Sequence, residues 1–336
     1  MAQIVLGIGA SHSPQVHAPV DGWTDFVGSD QAKSDLAFRG QQYTYDELVT
    51  MRSRAGFAAD LDAETWQRKH ATCQAAVAEL SRTLAKAAPD VVIIVGDDQD
   101  EVLHADNQPA MLVYWGETIH GRPRRYPDSV PPGIQAAAWG FGEVERDYPV
   151  ASGLGRFLIE ELTKAQFDVA SSRSLPGPAM GHAFAFVYRR LMDEMIVPVV
   201  PVMLNTYFAP NQPSPGRCYA LGRALRAAVE AWPGEERVAI VASGGLSHFV
   251  IDEEFDRQVL TAMRDRDADA LAAMPRDWFV SGTSETLNWI TAAGATEHLD
   301  MELVDYVPGY RTAAGTGCAM TFARWLPGGP DRSGAS

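Results

Sequence analysis

Three histidines and several acids stand beside glycine or proline at the ends of short apolar runs. His12 lies in Ser11-His12-Ser13-Pro14, His182 follows Gly181, and His248 closes the run Ser243-Gly244-Gly245-Leu246-Ser247-His248. A further polar turn, Gly96-Asp97-Asp98-Gln99-Asp100-Glu101, follows the apolar residues 91–95. Glu254 sits in Asp252-Glu253-Glu254-Phe255-Asp256. Imidazole and carboxylate are the groups that move protons near neutral pH and that ligate first-row metals, so acid–base or metal chemistry is the class these residues point to. Each also has an ordinary reading. His12 would be a turn histidine satisfied by backbone, and His182 a structural histidine. His248 would be a polar cap after two conformationally free glycines, and Glu254 part of an acidic first helical turn.

The elements that would position them alternate along the chain. Short β-branched runs at 4–8, 91–95, 111–114, 197–204 and 238–242 read as strands. Three-to-four spacing of apolar residues predicts helices over 65–87, 155–165, 218–231, 254–264 and 284–294. Strands alternating with helices predict an α/β fold, a mostly parallel sheet flanked by helices. In such sheets ligands bind at the carboxyl ends of strands. His12, the Asp97–Glu101 turn and His248 all follow such ends. Residues 1–326 read as a single catalytic domain, with 20–64 a polar insertion or lid and 327–336 a disordered tail.

Composition narrows the function class. The chain has 336 residues, 46% of them hydrophobic, and a formal charge of −15, which disfavours nucleic acid and anionic membranes as partners. No apolar run approaches the roughly 20 residues needed to cross a bilayer. The N-terminus enters a strand directly, without the pattern of a signal peptide. Cys73, Cys218 and Cys318 are odd in number and form no C-x-x-C pair, so they read as free thiols in a reducing cytoplasm. Gly7-x-Gly9 is followed by His12 where a dinucleotide loop needs glycine. The stretch Gly245-Leu246-Ser247-His248 is not a serine-hydrolase elbow. Tyr114, Trp115, Tyr207 and Phe208 are either pocket aromatics or core. Ser281, Thr283 and Ser284 begin a helix, and there would either cap it or face a substrate carboxylate.

Taken in order, these stretches resemble the class III extradiol ring-cleavage dioxygenases, the group containing the catalytic subunit of protocatechuate 4,5-dioxygenase and the gallate and methylgallate dioxygenases. The resemblance rests on 7–14 (GIGASHSP), 90–98 (DVVIIVGDD), 181–186 (GHAFAF), 197–230, 242–248 (ASGGLSH), Glu254-Phe255-Asp256 and 311–320 (RTAAGTGCAM). It implies a non-haem Fe(II) centre that opens a small dihydroxylated ring (catechol, protocatechuate or gallate type) with O2. It also implies a homo-oligomer, and in some relatives a separate small subunit that covers the site. Carried over by position, His12 and Glu254 would be metal ligands, with His182 and His248 as acid–base residues beside them. The second histidine ligand of the family is replaced by Gln99. The third ligand would then be Gln99 itself or, from the same turn, Glu101 or His104, with His70 an outside candidate. Two rivals remain at this stage: a related enzyme using Zn(II) or Mn(II) without ring opening, and a ligand-binding protein whose metal site has decayed.

Overall fold

The computed structural model describes residues 1–136, 138, 141–193 and 195–328, so most of the expected disordered tail at 327–336 lies outside the described residues. Among the described residues thirteen strands occur in chain order: β1 Gln3–Ala10, β2 Leu36–Phe38, β3 Gln41–Tyr43, β4 Val91–Asp97, β5 Met111–Tyr114, β6 Thr118–Gly121, β7 Arg146–Pro149, β8 Ala170–Ser172, β9 Val199–Leu204, β10 Arg237–Ser243, β11 His248–Val250, β12 Asp300–Tyr310 and β13 Thr316–Leu326. Nine of them form one sheet, in the order β11-β13-β1-β10-β4-β9-β5-β8, with β12 paired to β13. β1, β10, β4 and β9 are mutually parallel. On one side β13 runs antiparallel to β1 and forms a hairpin with β12, and on the other β5 runs antiparallel to β9. The α/β fold with a parallel centre is as expected, and the sheet as a whole is mixed.

The central strands are buried on both faces, which is why their sequence is a continuous apolar run and not an alternating one. Ile93 and Val95 of β4 point into one core layer, and Val92 and Ile94 into the other. The first layer is covered by the helices Pro215–Ala231 and Thr286–Ala295, the second by Ala63–Ala87. The long helix starts where the Asp62 carboxylate accepts the Thr65 N–H at 2.8 Å, and it stops at Ala88, which takes a left-handed conformation. All ten residues of Thr286–Ala295 are buried. The helix fits because Gly222 and Gly294 let it approach Pro215–Ala231 closely. A Cβ at Gly222 would strike the Thr291 carbonyl, and one at Gly294 the Tyr219 carbonyl.

The hairpin β12–β13 was only partly visible in the sequence. Residues 311–315 are its turn, and the strand begins at Thr316. The segment 20–64 folds into the helices Trp23–Gln31 and Tyr45–Met51 and the ribbon β2–β3. It is pinned against that turn and against β11. Arg311 donates twice to Asp30, at 2.9 and 3.1 Å, and Arg52 donates to the Ile251 and Ala314 carbonyls.

Candidate metal centre

The carboxyl ends of β1, β4 and β10 deliver their polar turns to one point. Beneath them, the turn Ser281–Glu285 leads into the helix Thr286–Ala295. Asn288 on that helix donates to Asp97 Oδ1 at 2.9 Å and to the Ser243 carbonyl at 3.0 Å, which locks helix, β4 and β10 in register. Glu285 therefore projects into the space between the strand ends.

His12, His182 and Glu285 each offer one ligand atom, and these atoms lie within 4.8 Å of one another. His12 Nε2 is 3.0 Å from His182 Nε2 and 3.2 Å from Glu285 Oε2. The far side of each ring is engaged. The Ser243 hydroxyl gives its only hydrogen to the Ala183 carbonyl at 2.6 Å. It must therefore accept from His12 Nδ1, 3.0 Å away, which places the lone pair of the neutral imidazole on Nε2. His182 Nδ1 is 2.6 Å from Glu101 Oε2, an oxygen that also accepts the His182 backbone N–H at 2.9 Å. The other Glu101 oxygen accepts from Arg124 at 2.8 Å. Second partners of this kind set the tautomer and aim of a ligating imidazole. Two imidazole nitrogens whose far N–H groups are spent then face one another and a carboxylate across a gap that only a cation or a shared proton makes favourable. The donor set, two nitrogens and one carboxylate in a buried position, fits a first-row divalent ion.

Electrostatics keep the carboxylate charged. Burial alone would raise the Glu285 pKa, but the His248 imidazolium beside it holds it well below the ordinary value. Burial likewise opposes charge on His182, and Glu101, with Asp97 and Glu285, outweighs it, raising that pKa to about 9. His248 Nδ1 donates to the Leu246 carbonyl at 2.9 Å, and its Nε2 lies 3.1 Å from Glu285 Oε1. Both contacts need an N–H, so His248 sits there as an imidazolium, with its pKa raised by Glu285 against the effect of burial.

Not every expected residue arrives. Glu254 does not reach the cluster. Its side chain is 63% exposed and accepts from Arg39 at 2.7 Å. The helix Glu253–Arg264 buries Phe255, Asp256 and Val259, which turns Glu254 to solvent, so Glu285 occupies the place expected of Glu254. Gln99 does come to the site, but its amide nitrogen points inward, donating to Glu285 Oε1 at 2.8 Å and to Asp97 Oδ2 at 3.1 Å. Turning the amide over would set its oxygen against two carboxylate oxygens. Glu101 faces the outer edge of His182, and His104 pairs with Asp100 at 2.8 Å, exposed. His70 bonds Gln74 on its helix, away from the cluster. Sequence reasoning missed Glu285. The available signal was an acid at the head of a helix with no polar face, which demands a buried partner.

The cluster opens into a cavity of about 390 Å³ whose wall includes Phe26, Tyr207 and Phe249. Tyr114, Trp115 and Phe208 are not on that wall. No described helix is long and apolar enough to cross a membrane.

Residues 60–321 match the family described as the catalytic LigB subunit of aromatic ring-opening dioxygenase. A 128-residue stretch is 35% identical to a gallate dioxygenase of Pseudomonas putida; it covers 34% of this chain and 36% of that relative. With most of its length matched by the family, its α/β sheet, and the histidines and carboxylate gathered at the strand ends, the chain belongs to the family of catalytic LigB-type subunits of aromatic ring-opening dioxygenases.

Proposed function

We propose that the protein is an extradiol dioxygenase that opens a small dihydroxylated aromatic ring, with Fe(II) held by His12, His182 and Glu285. The observation that carries this reading is the convergence of two imidazole nitrogens and one carboxylate oxygen, each with its outer atoms already engaged. When bound, iron in such a facial set leaves positions open for the two substrate oxygens and for O2 and supplies redox capacity that side chains lack.

The remaining work belongs to the chain. Ser243 and Glu101 aim the two imidazoles. Gln99 and the Gly245 N–H, the latter at 2.8 Å from Oε2, fix Glu285 from both oxygens. His248 carries N–H groups on both nitrogens and acts as the acid that donates to a substrate oxygen. In this arrangement Gln99 supports the carboxylate, and His182 takes the ligand place left by the missing histidine. The aromatic wall excludes water and stacks the ring. Residues 20–64 supply part of that wall, a lid that stands in for a covering subunit. The free, buried thiols of Cys73, Cys218 and Cys318 suit a reducing cytoplasm.

The test is O2 consumption by protein reconstituted anaerobically with Fe(II), using catechol, 3,4-dihydroxybenzoate and gallate, beside protein loaded with Zn(II) or Mn(II). Uptake coupled to loss of the aromatic absorbance, with iron alone, is the expected result. Binding of these compounds without uptake under any metal would contradict the reading.

A further inference from the structure

Three lysine and arginine side chains reach the wall of the cavity: Lys33, Arg124 and Arg311. Two of them are spent. Arg124 is bonded to Glu101 at 2.8 Å. Arg311 is bonded to Asp30 through two hydrogen bonds, and Asp30 accepts a third from Thr316 at 2.8 Å, so both its oxygens are engaged. The other two acids on the wall are also satisfied, Glu101 by Arg124 and His182, and Glu285 by Gln99, Gly245 and His248. Lys33 is different. Among the described residues no carboxylate lies within ion-pair reach of it, and its ammonium sits over the Phe249 ring, 3.7 Å from the centroid. Phe249 follows His248, whose ring is 5.5 Å away, and His248 in turn touches Glu285. Two ring side chains, Phe249 and then His248, thus lie in series between the uncommitted cation and the proposed metal centre.

We infer that Lys33 binds an anionic substituent, a carboxylate, on the aromatic substrate, at the end of the ring opposite the two hydroxyls. This rests on the ring-opening reading above for the placement of the hydroxyls, and it assigns the specificity for an acid to the segment 20–64. Ser281, Thr283 and Ser284, the positions from which the sequence suggested carboxylate binding, do not line the cavity, and Thr283 is bonded to the His248 backbone at 3.2 and 3.1 Å. Partial burial lowers the Lys33 pKa, with Arg311 adding to that and Asp30 opposing it. An ammonium in that setting gains more from an arriving carboxylate than a fully solvated one does.

The test is equilibrium binding under argon of 3,4-dihydroxybenzoate and of its methyl ester, to the wild type and to Lys33→Met, which keeps an unbranched stem over Phe249. Lys33→Met should bind the acid roughly 10- to 100-fold more weakly, the range of a charge-assisted hydrogen bond, and the ester within about twofold of wild type. Lys33→Arg should recover part of the loss. Equal weakening of acid and ester makes Lys33 a plain wall residue and overturns the inference, as does a wild type that binds the acid no tighter than the ester. Discriminating binding without any O2 uptake by the iron-loaded protein would leave the Lys33 assignment standing and remove the ring-opening reading.

Discussion

At the scale of single residues, the site is decided by which atoms are already spoken for. His12 would be an ordinary buried histidine were it not for Ser243, whose one hydrogen goes to the Ala183 carbonyl and so forces the imidazole to present Nε2 inward. Ser243→Ala should lower metal affinity about 10- to 100-fold, the usual cost of losing such a partner, and cost about 1–3 kcal/mol of stability through the buried groups it leaves unpaired. Competition for Fe(II) with a chelator of known affinity checks this, and unchanged affinity would show that the tautomer is set by something else. The histidines were legible in the sequence because each follows a strand or loop end marked by small residues. The carboxylate was not. Glu254 has the surroundings of a ligand in the one-dimensional pattern, yet helical rotation places Phe255 and Asp256 inward and Glu254 outward. Glu285 is 103 positions beyond His182 in the chain, and only the packing of its helix under the strand ends brings them together.

At the scale of elements, strand β4 and the helices Ala63–Ala87 and Pro215–Ala231 were readable because composition and periodicity agree along their whole length. The hairpin β12–β13 was harder. Pro308, Gly309, Gly315 and Gly317 break the pattern, and the pairing that makes these strands is long-range, to β1 and β11. Asp256 joins this hairpin to the turn Ser243–His248. Its oxygens accept from the Ser247 N–H at 2.9 Å, the Ser247 hydroxyl at 2.6 Å and the Tyr306 hydroxyl at 2.7 Å. Burial raises its pKa to about 7, with nearby Asp252 adding to the shift. A carboxyl that binds its proton more tightly when folded stabilises the fold fully below its unfolded pKa of about 4. That contribution is lost as pH rises through about 7, at no more than about 1.4 kcal/mol per pH unit. Asp256→Asn cannot ionise, so its melting temperature should fall less than that of wild type between pH 5 and 8. Parallel curves for the two proteins would contradict this.

At the scale of the whole molecule, a strongly acidic chain encloses a cavity whose acids are all internally matched, leaving one ammonium for an incoming anion. The parallel centre of the sheet supplies the rigid floor, and the segment 20–64, tied down through Asp30–Arg311 and through Arg52 to the Ile251 and Ala314 carbonyls, supplies the far wall. Net charge and composition excluded partner classes but said nothing of this arrangement, since it depends on how charges pair in space. The central claim is that Glu285, together with His12 and His182, holds the metal. Anaerobic Fe(II) titration of Glu285→Gln beside Glu254→Gln tests it most directly. The account predicts that Glu285→Gln loses tight binding while Glu254→Gln, altered only at an exposed pair with Arg39, binds iron as the wild type does. Iron retained by Glu285→Gln and lost by Glu254→Gln would contradict it.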